Sequence, residues 1–359
     1  MKIIDSFAVS VIAAFIITAI LGHFFIPAMR KKKIGQHERE EGLASHKKKE
    51  GTPTMGGVFF IPVIAVVSLF FAGKNQNMII VILFLVGFSL VGFLDDWLKT
   101  VKHQSEGLTV MQKLFCQIIV MAALLCYMTF VAKIGTEIRI PFINGKYEVH
   151  GWYYVIVAIM ILGTVNGANF TDGLDGLGAS VGVVISIFFT VASVLYKTGI
   201  EPFTGAVIGA LLAFLMYNIN PARVFMGDTG SLGLGGIAAG ASLVTQNPLI
   251  IIIVACIYLA EVLSVMIQVL YYKKTKNAEV KREIADGTIK GTLEEIRKVP
   301  GKRFFRMSPI HHHFEKDKQG NPPKESVIKI GRGAWEEAEV TSKFTVMAVI
   351  FCVIGIIAL

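Results

Sequence analysis

Apolar runs of about 20 residues recur along the chain, separated by short polar gaps and two long charged blocks. A membrane-spanning helix needs about 20 apolar residues. The pattern predicts about ten such helices, near 3–27, 55–72, 78–96, 110–131, 152–170, 177–197, 203–219, 230–245, 248–272 and 342–359. The gaps Gly73–Asn77 and Gln246–Pro248 read as tight turns between helices. The expected fold is all-α, a polytopic membrane protein forming one integral domain over 1–359. Segments 30–54 and 273–341 are its polar loops. Within the second, 274–300 alternates charge and predicts a short exposed helix, while the Gly- and Pro-rich 318–333 predicts irregular chain. The first apolar run has no small-residue cleavage site with a mature domain behind it, so it reads as a retained helix.

The composition sharpens this picture. Hydrophobic residues make up 53% of the chain and charged residues 17%, against roughly 25% charged in soluble domains. With ten spans, loops 30–54, 97–109, 171–176, 220–229 and 273–341 fall on one side. Together with Lys113 and Lys343 they carry 29 of the 35 basic residues. Basic loops stay cytoplasmic, so both termini are expected outside. The net charge of +9 thus reports topology first. It also suits a face that meets anionic headgroups or phosphorylated substrates. No separate basic domain points to nucleic acid. The four cysteines, Cys116, Cys126, Cys256 and Cys352, lie in apolar spans without metal-type spacing and read as buried small hydrophobes.

Against this background the acids stand out. An ionised carboxylate in the bilayer interior costs about 2.5–3.5 kcal/mol on insertion scales, yet Asp95 and Asp96 sit together at the end of an apolar run. Asp172 and Asp175 follow the run Tyr153–Leu162, and Asp228 follows Ala206–Met216. All of them, and the histidines His311, His312 and His313, fall on the predicted cytoplasmic side. Four clusters chosen for chemistry would rarely share one face by chance, which points to a single site.

Each motif allows two readings. In F-L-D-D-W-L-K, Asp95 and Lys99 are four residues apart on one helix face. That is either a solvated helix end or a magnesium or phosphate site, since Mg²⁺ prefers carboxylate oxygens. N-G-A-N-F-T-D-G-L-D-G-L, from Asn166 through Asn169, Asp172 and Asp175, is richer in functional groups than a simple turn needs. In N-I-N-P-A-R-V-F-M-G-D-T-G-S, Asn218 to Ser231, Asp228 is an N-cap or an acid at an anion-favouring helix start. Phe225 packs, or stacks on a flat ring. The run in P-I-H-H-H-F-E points three imidazoles in different directions, which suits phosphate contact better than zinc. T-P-T-M-G-G, with Thr54, is a helix start behind basic residues or a phosphate-binding loop.

Taken together, D-D-x-x-K, N-x-T-D-G-x-D-G-L, F-M-G-D-x-G-S, P-I-H-H-H-F-E and the preceding T-P-T-M-G-G resemble the phospho-N-acetylmuramoyl-pentapeptide transferases. These belong to the polyprenyl-phosphate N-acetylhexosamine-1-phosphate transferase superfamily. The likeness runs in order from about Ser45 to His313, and the triple histidine points to the peptidoglycan branch. The last loop departs from the pattern by extra length at 277–299 and 317–334.

The resemblance implies transfer of phospho-N-acetylmuramoyl-pentapeptide from its UDP carrier to undecaprenyl phosphate, releasing UMP, at the cytoplasmic face of the bacterial inner membrane. It implies Mg²⁺ as cofactor with Asp228 as ligand. Asp95, Asp96, Asp228 and His311 would be catalytic, with Asp95 the family's candidate base. Asp172 and Asp175 would flank the nucleotide, Asn166, Asn169 and Asn218 would supply amides, and Phe225 would stack on uracil. Lys49, Thr54, Lys99, Lys113, Gln268, His312 and His313 would complete the polar shell. The partners would be the two substrates and membrane lipids, and a homodimer is an open assembly. Two rival readings stand: a relative using a UDP-N-acetylhexosamine without peptide, and an ion-coupled transporter. Transporter sites lie near the midplane, whereas these acids gather at one face.

Overall fold

The computed structural model describes residues 3–31, 51–102, 107–316 and 325–359. Lys49 lies outside the described residues. Thirteen α-helices are described. Eight are long and apolar enough to cross a membrane: α1 (Ile3–Lys31), α3 (Gln76–Lys102), α4 (Val110–Cys126, prolonged by a π turn), α5 (Trp152–Thr171), α6 (Leu177–Tyr196), α7 (Glu201–Asn218), α10 (Cys256–Ala285) and α13 (Glu337–Ile357). The chain is an integral membrane protein. Two further apolar helices coincide with expected spans. These are α2 (Gly57–Ala72), of 16 residues, and α8 (Gly227–Val244), of 18 residues, which carries six glycines.

Helix α8 is the hub. Every residue from Thr229 to Val244 is buried, and α8 packs on α3 and α5. Between helices in lipid, small residues allow close backbone approach and packing replaces the hydrophobic drive. Gly92 on α3 shows this directly, because a Cβ there would collide with the Asp228 carbonyl. The crossing therefore brings the end of α3, which carries Asp95 and Asp96, onto the start of α8, which carries Asp228. Outside this hub α1 packs along α7, and α7 on α6. Outward faces are apolar, as with Ile16, Ile20 and Phe24 on α1 and Val349, Ile350 and Val353 on α13.

The expected span 248–272 is broken. A 3₁₀ turn (Pro248–Ile250) and the short α9 (Ile251–Val254) stop at Ala255, whose φ of −106° and ψ of 29° are not helical. Helix α10 then runs unbroken to Ala285, so the first part of the charged 274–300 extends a spanning helix instead of forming its own. The short α11 (Leu293–Lys298) follows, closed by a Thr292–Glu295 capping box. Helix α12 (His311–Phe314) is one turn. Helix α13 starts at Glu337, before the expected 342, because Glu336 and Glu339 form a capping box. One antiparallel hairpin interrupts the helices. Strands β1 (Glu137–Ile140) and β2 (Ile143–Glu148) meet through Ile140↔Ile143, leaving Pro141 and Phe142 as the turn.

Candidate functional site

The N-terminus of α8 has no capping side chain of its own. Asp96, arriving from α3, supplies one. Its Oδ1 accepts from Asp228 N at 3.1 Å, and its Oδ2 accepts from Thr229 N at 2.9 Å and Thr229 Oγ1 at 2.7 Å. A negative charge at a helix start satisfies orphan N–H groups and the positive dipole end. Gly227, at φ +73°, makes the tight entry. The N-cap reading of Asp228 is therefore corrected: Asp96 does the capping, and the Asp228 carboxylate is left for other work.

That carboxylate is the centre of a charged cluster. Lys99 Nζ lies 2.8 Å from Asp228 Oδ2 and 2.6 Å from Asp95 Oδ2. Lys113 Nζ, in the first turn of α4, lies 2.9 Å from Asp228 Oδ2 and 3.0 Å from Asn169 Oδ1. Asn169 Nδ2 donates to Asp228 Oδ1 and to Ser231 Oγ, both at 2.8 Å. Asp95 Oδ1 accepts from Leu108 N at 2.8 Å. Asp95, Asp96 and Asp228 each offer an oxygen within 4.8 Å of the others. The Asp228 side chain is 16% exposed, against 3% for each of the other two. It is the most exposed of the three acids.

The remaining predicted residues form a support ring. Asn166, one turn before Asn169, exchanges amide hydrogen bonds with Gln117 at 2.8 and 3.2 Å. Asp172 lies just past α5. Desolvation, and then the charges of Asp228, Asp96 and Asp175, push its carboxyl well above the usual range. Asp175 Oδ2 accepts from Asn220 Nδ2 and Ala222 N, at 3.0 and 2.9 Å. Asn218 accepts from Gly176 N at 3.1 Å and donates to Val224 O at 2.9 Å. These bonds tie the turn after α5 to the loop before α8. Half-buried Phe225 is fixed through its backbone: its N–H donates to Pro53 O, and its carbonyl accepts from Gly56 N, both at 2.8 Å. Gly57 N donates to Met226 O at 2.9 Å. The T-P-T-M-G-G segment, with half-buried Thr54, is thus paired directly to F-M-G-D.

Gln268 and the histidines organise the last loop. Gln268 Oε1 accepts from Phe304 N and Phe305 N, at 3.1 and 2.9 Å. His313 Nδ1 accepts from Arg306 N, and its Nε2 lies 3.1 Å from Ile330 O. Burial lowers its pKa. His312 Nδ1 lies 2.8 Å from Glu315, and His311 is fully buried. Thr229, Ser231, Gln117, Glu261 and Glu337 all take part without having been singled out from the sequence. Glu337 on α13 accepts from Asp175 N at 3.1 Å. Among these, Glu261 carried a usable signal, as a lone acid inside an apolar run.

Such a cluster, set at the ends of membrane helices, has the makings of a phosphate-transfer centre, and the family comparisons agree. Residues 78–246 match the Glycosyl transferase family 4 model, and residues 49–61 match the phospho-N-acetylmuramoyl-pentapeptide-transferase signature 1. Proteins named phospho-N-acetylmuramoyl-pentapeptide-transferase align over nearly the whole chain. That of Clostridium perfringens (strain 13 / Type A) is 40% identical over 354 residues, covering 98% of each chain. That of Clostridium novyi (strain NT) is 39% identical over 355 residues, covering 98% of this chain and 96% of its own. The Acetivibrio thermocellus protein is 37% identical over 352 residues, covering 97% and 94%. The chain is a membrane transferase, and it belongs to the phospho-N-acetylmuramoyl-pentapeptide-transferase family.

Proposed function

We propose that the protein moves phospho-N-acetylmuramoyl-pentapeptide from UDP to undecaprenyl phosphate and releases UMP. The observation that carries this reading is the Asp228 carboxylate, gripped by Lys99, Lys113 and Asn169 beside Asp95 and Asp96. Three negative charges within 4.8 Å of one another repel by roughly 3 kcal/mol or more per pair at an effective dielectric of about 20. Two ammonium groups offset this and leave the group with one net negative charge. The donors are all oxygens, so the residues fit Mg²⁺, with Asp228 the best ligand. When bound, Mg²⁺ neutralises diphosphate charge and eases departure of UMP.

The chain's own groups supply alignment and charge. Lys99 and Lys113 would meet the phosphate oxygens and hold two anions together that otherwise repel. Asp95, at 2.6 Å from Lys99, orients that ammonium. A base is weakly required, because the acceptor phosphate, with a second pKa of about 6, is already largely dianionic at neutral pH. Direct attack of the acceptor phosphate is the preferred route. With α2 and α8 counted, the chain crosses the inner membrane ten times. Its termini lie outside and the site faces the cytoplasm, where the basic loops gather.

Product analysis tests the substrate. Purified protein with undecaprenyl phosphate is given UDP-N-acetylmuramoyl-pentapeptide, UDP-N-acetylmuramic acid and UDP-N-acetylglucosamine in turn. Only the first should yield lipid product at a high rate. Equal use of UDP-N-acetylglucosamine would favour the peptide-free relative, and substrate flux without UMP would favour a transporter.

Phe225→Leu is expected to raise the KM for the UDP substrate about tenfold, with little change for the lipid acceptor. Leucine keeps apolar volume but loses the flat face, and the Pro53 and Gly56 bonds use only backbone. Steady-state kinetics in each substrate check this. An equal loss for both substrates would remove Phe225 from the nucleotide site.

A further inference from the structure

Glu261 lies inside α10 without measurable exposure, and His311 reaches it from α12 equally buried. Glu261 Oε1 is 3.1 Å from His311 Nδ1, and Oε2 is 3.5 Å from the His311 backbone N. The ring's Nε2–Cε1 edge faces Gly173, where any Cβ would collide with both atoms. Gly173 directly follows Asp172. The His312 ring lies against His311, with centroids 4.1 Å apart. Among the described residues neither His311 ring nitrogen nor Glu261 Oε1 makes a hydrogen bond of good geometry, so the 3.1 Å approach is a close charge contact that a small ring rotation would turn into a hydrogen bond. A carboxylate in an apolar interior needs a partner, and among the described residues His311 lies within reach.

We propose that Glu261 is a positioning residue that acts through His311. The carboxylate holds the Nδ1 side of the imidazole, fixes its rotation and tautomer, and turns Nε2 toward the Asp172–Gly173 turn. The second atom of a histidine is commonly set in this way by the group that its first atom meets. One residue of α10 thereby aligns two loops that meet at the site, the Asp172 turn and the His311–His313 turn. The inference rests on the transferase reading of that site.

A double-mutant cycle tests it. Glu261→Met in the wild-type background should lower kcat/KM by about 10- to 100-fold, the usual loss for an orienting partner. In a His311→Gln background the same change should cost less than about threefold. Glu261→Gln, which keeps an acceptor oxygen and the side-chain shape, should fall in between. Equal losses in both backgrounds, or an unaffected His311→Gln, would overturn the proposal. A second measurement needs neither turnover nor a tolerated variant. In ¹⁵N-histidine-labelled wild-type protein, the His311 signals are identified by their absence in His311→Gln. Nδ1 should carry a proton at neutral pH. A bare Nδ1 with the proton on Nε2 alone would overturn the pairing. If the wild-type protein releases no UMP, the transferase reading fails, and this spectrum still judges the pair.

Discussion

Asp228→Asn is expected to cut turnover by about 10³-fold while the protein stays folded. The substitution keeps the side-chain volume and removes the charge on which Lys99 and Lys113 both converge at 2.8 and 2.9 Å. Loss of one preorganised electrostatic contact costs about 10²–10³ in kcat, and here the same atom also serves as the expected metal ligand. The fold does not depend on that charge, since Asp96 caps α8 through Asp228 N, Thr229 N and Thr229 Oγ1. The check combines UMP release at saturating Mg²⁺ with a thermal melt in detergent. Near-normal activity would take Asp228 out of the centre, and a collapsed melt would show that its role is structural.

Asp95→Asn should lose about 10²-fold in rate, and raising the pH should not restore it. Asp95 holds Lys99 at 2.6 Å and Leu108 N at 2.8 Å, so its removal misplaces a cation instead of withholding a proton acceptor. If it were the essential base, a more fully ionised acceptor would bypass it. The mutant's rate would then climb between about pH 6 and 8, around the phosphate pKa of about 6. The measurement is a pH–rate profile of both proteins at saturating substrates. Recovery toward the wild-type rate at high pH would reinstate the base.

Much of the site was legible because its residues break a rule that the rest of the chain obeys. Carboxylates beside apolar runs are costly, so Asp95, Asp96, Asp172, Asp175 and Asp228 announced themselves one by one, and the basic loops placed them on one face. Their division of labour was not legible. Asp96 and Asp228 look alike in sequence, and only the α3–α8 crossing at Gly92 decides that one caps a helix while the other meets two lysines and stays partly exposed. Gln117 and Ser231 are ordinary polar residues on helices, and their partners Asn166 and Asn169 come from α5, a pairing that no local period encodes. Hydrophobic periodicity anticipated the eight helices long and apolar enough to cross a membrane, but not the break at Ala255 or the run of α10 to Ala285. Length and hydropathy say where a helix leaves the membrane, not whether it continues beyond. The hairpin 137–148 escaped for a similar reason: its cross-strand pairs alone distinguish it from a polar connection.

The most direct measurement of the central claim follows one phosphorus atom. UDP-N-acetylmuramoyl-pentapeptide labelled with ³²P in the phosphate attached to the sugar is incubated with the purified protein, Mg²⁺ and undecaprenyl phosphate. Transfer of sugar and phosphate together breaks the bond between the two phosphates. The label should therefore move into the organic-extractable lipid in step with unlabelled UMP. Label retained in the aqueous phase as UDP, with unlabelled sugar on the lipid, would contradict the account.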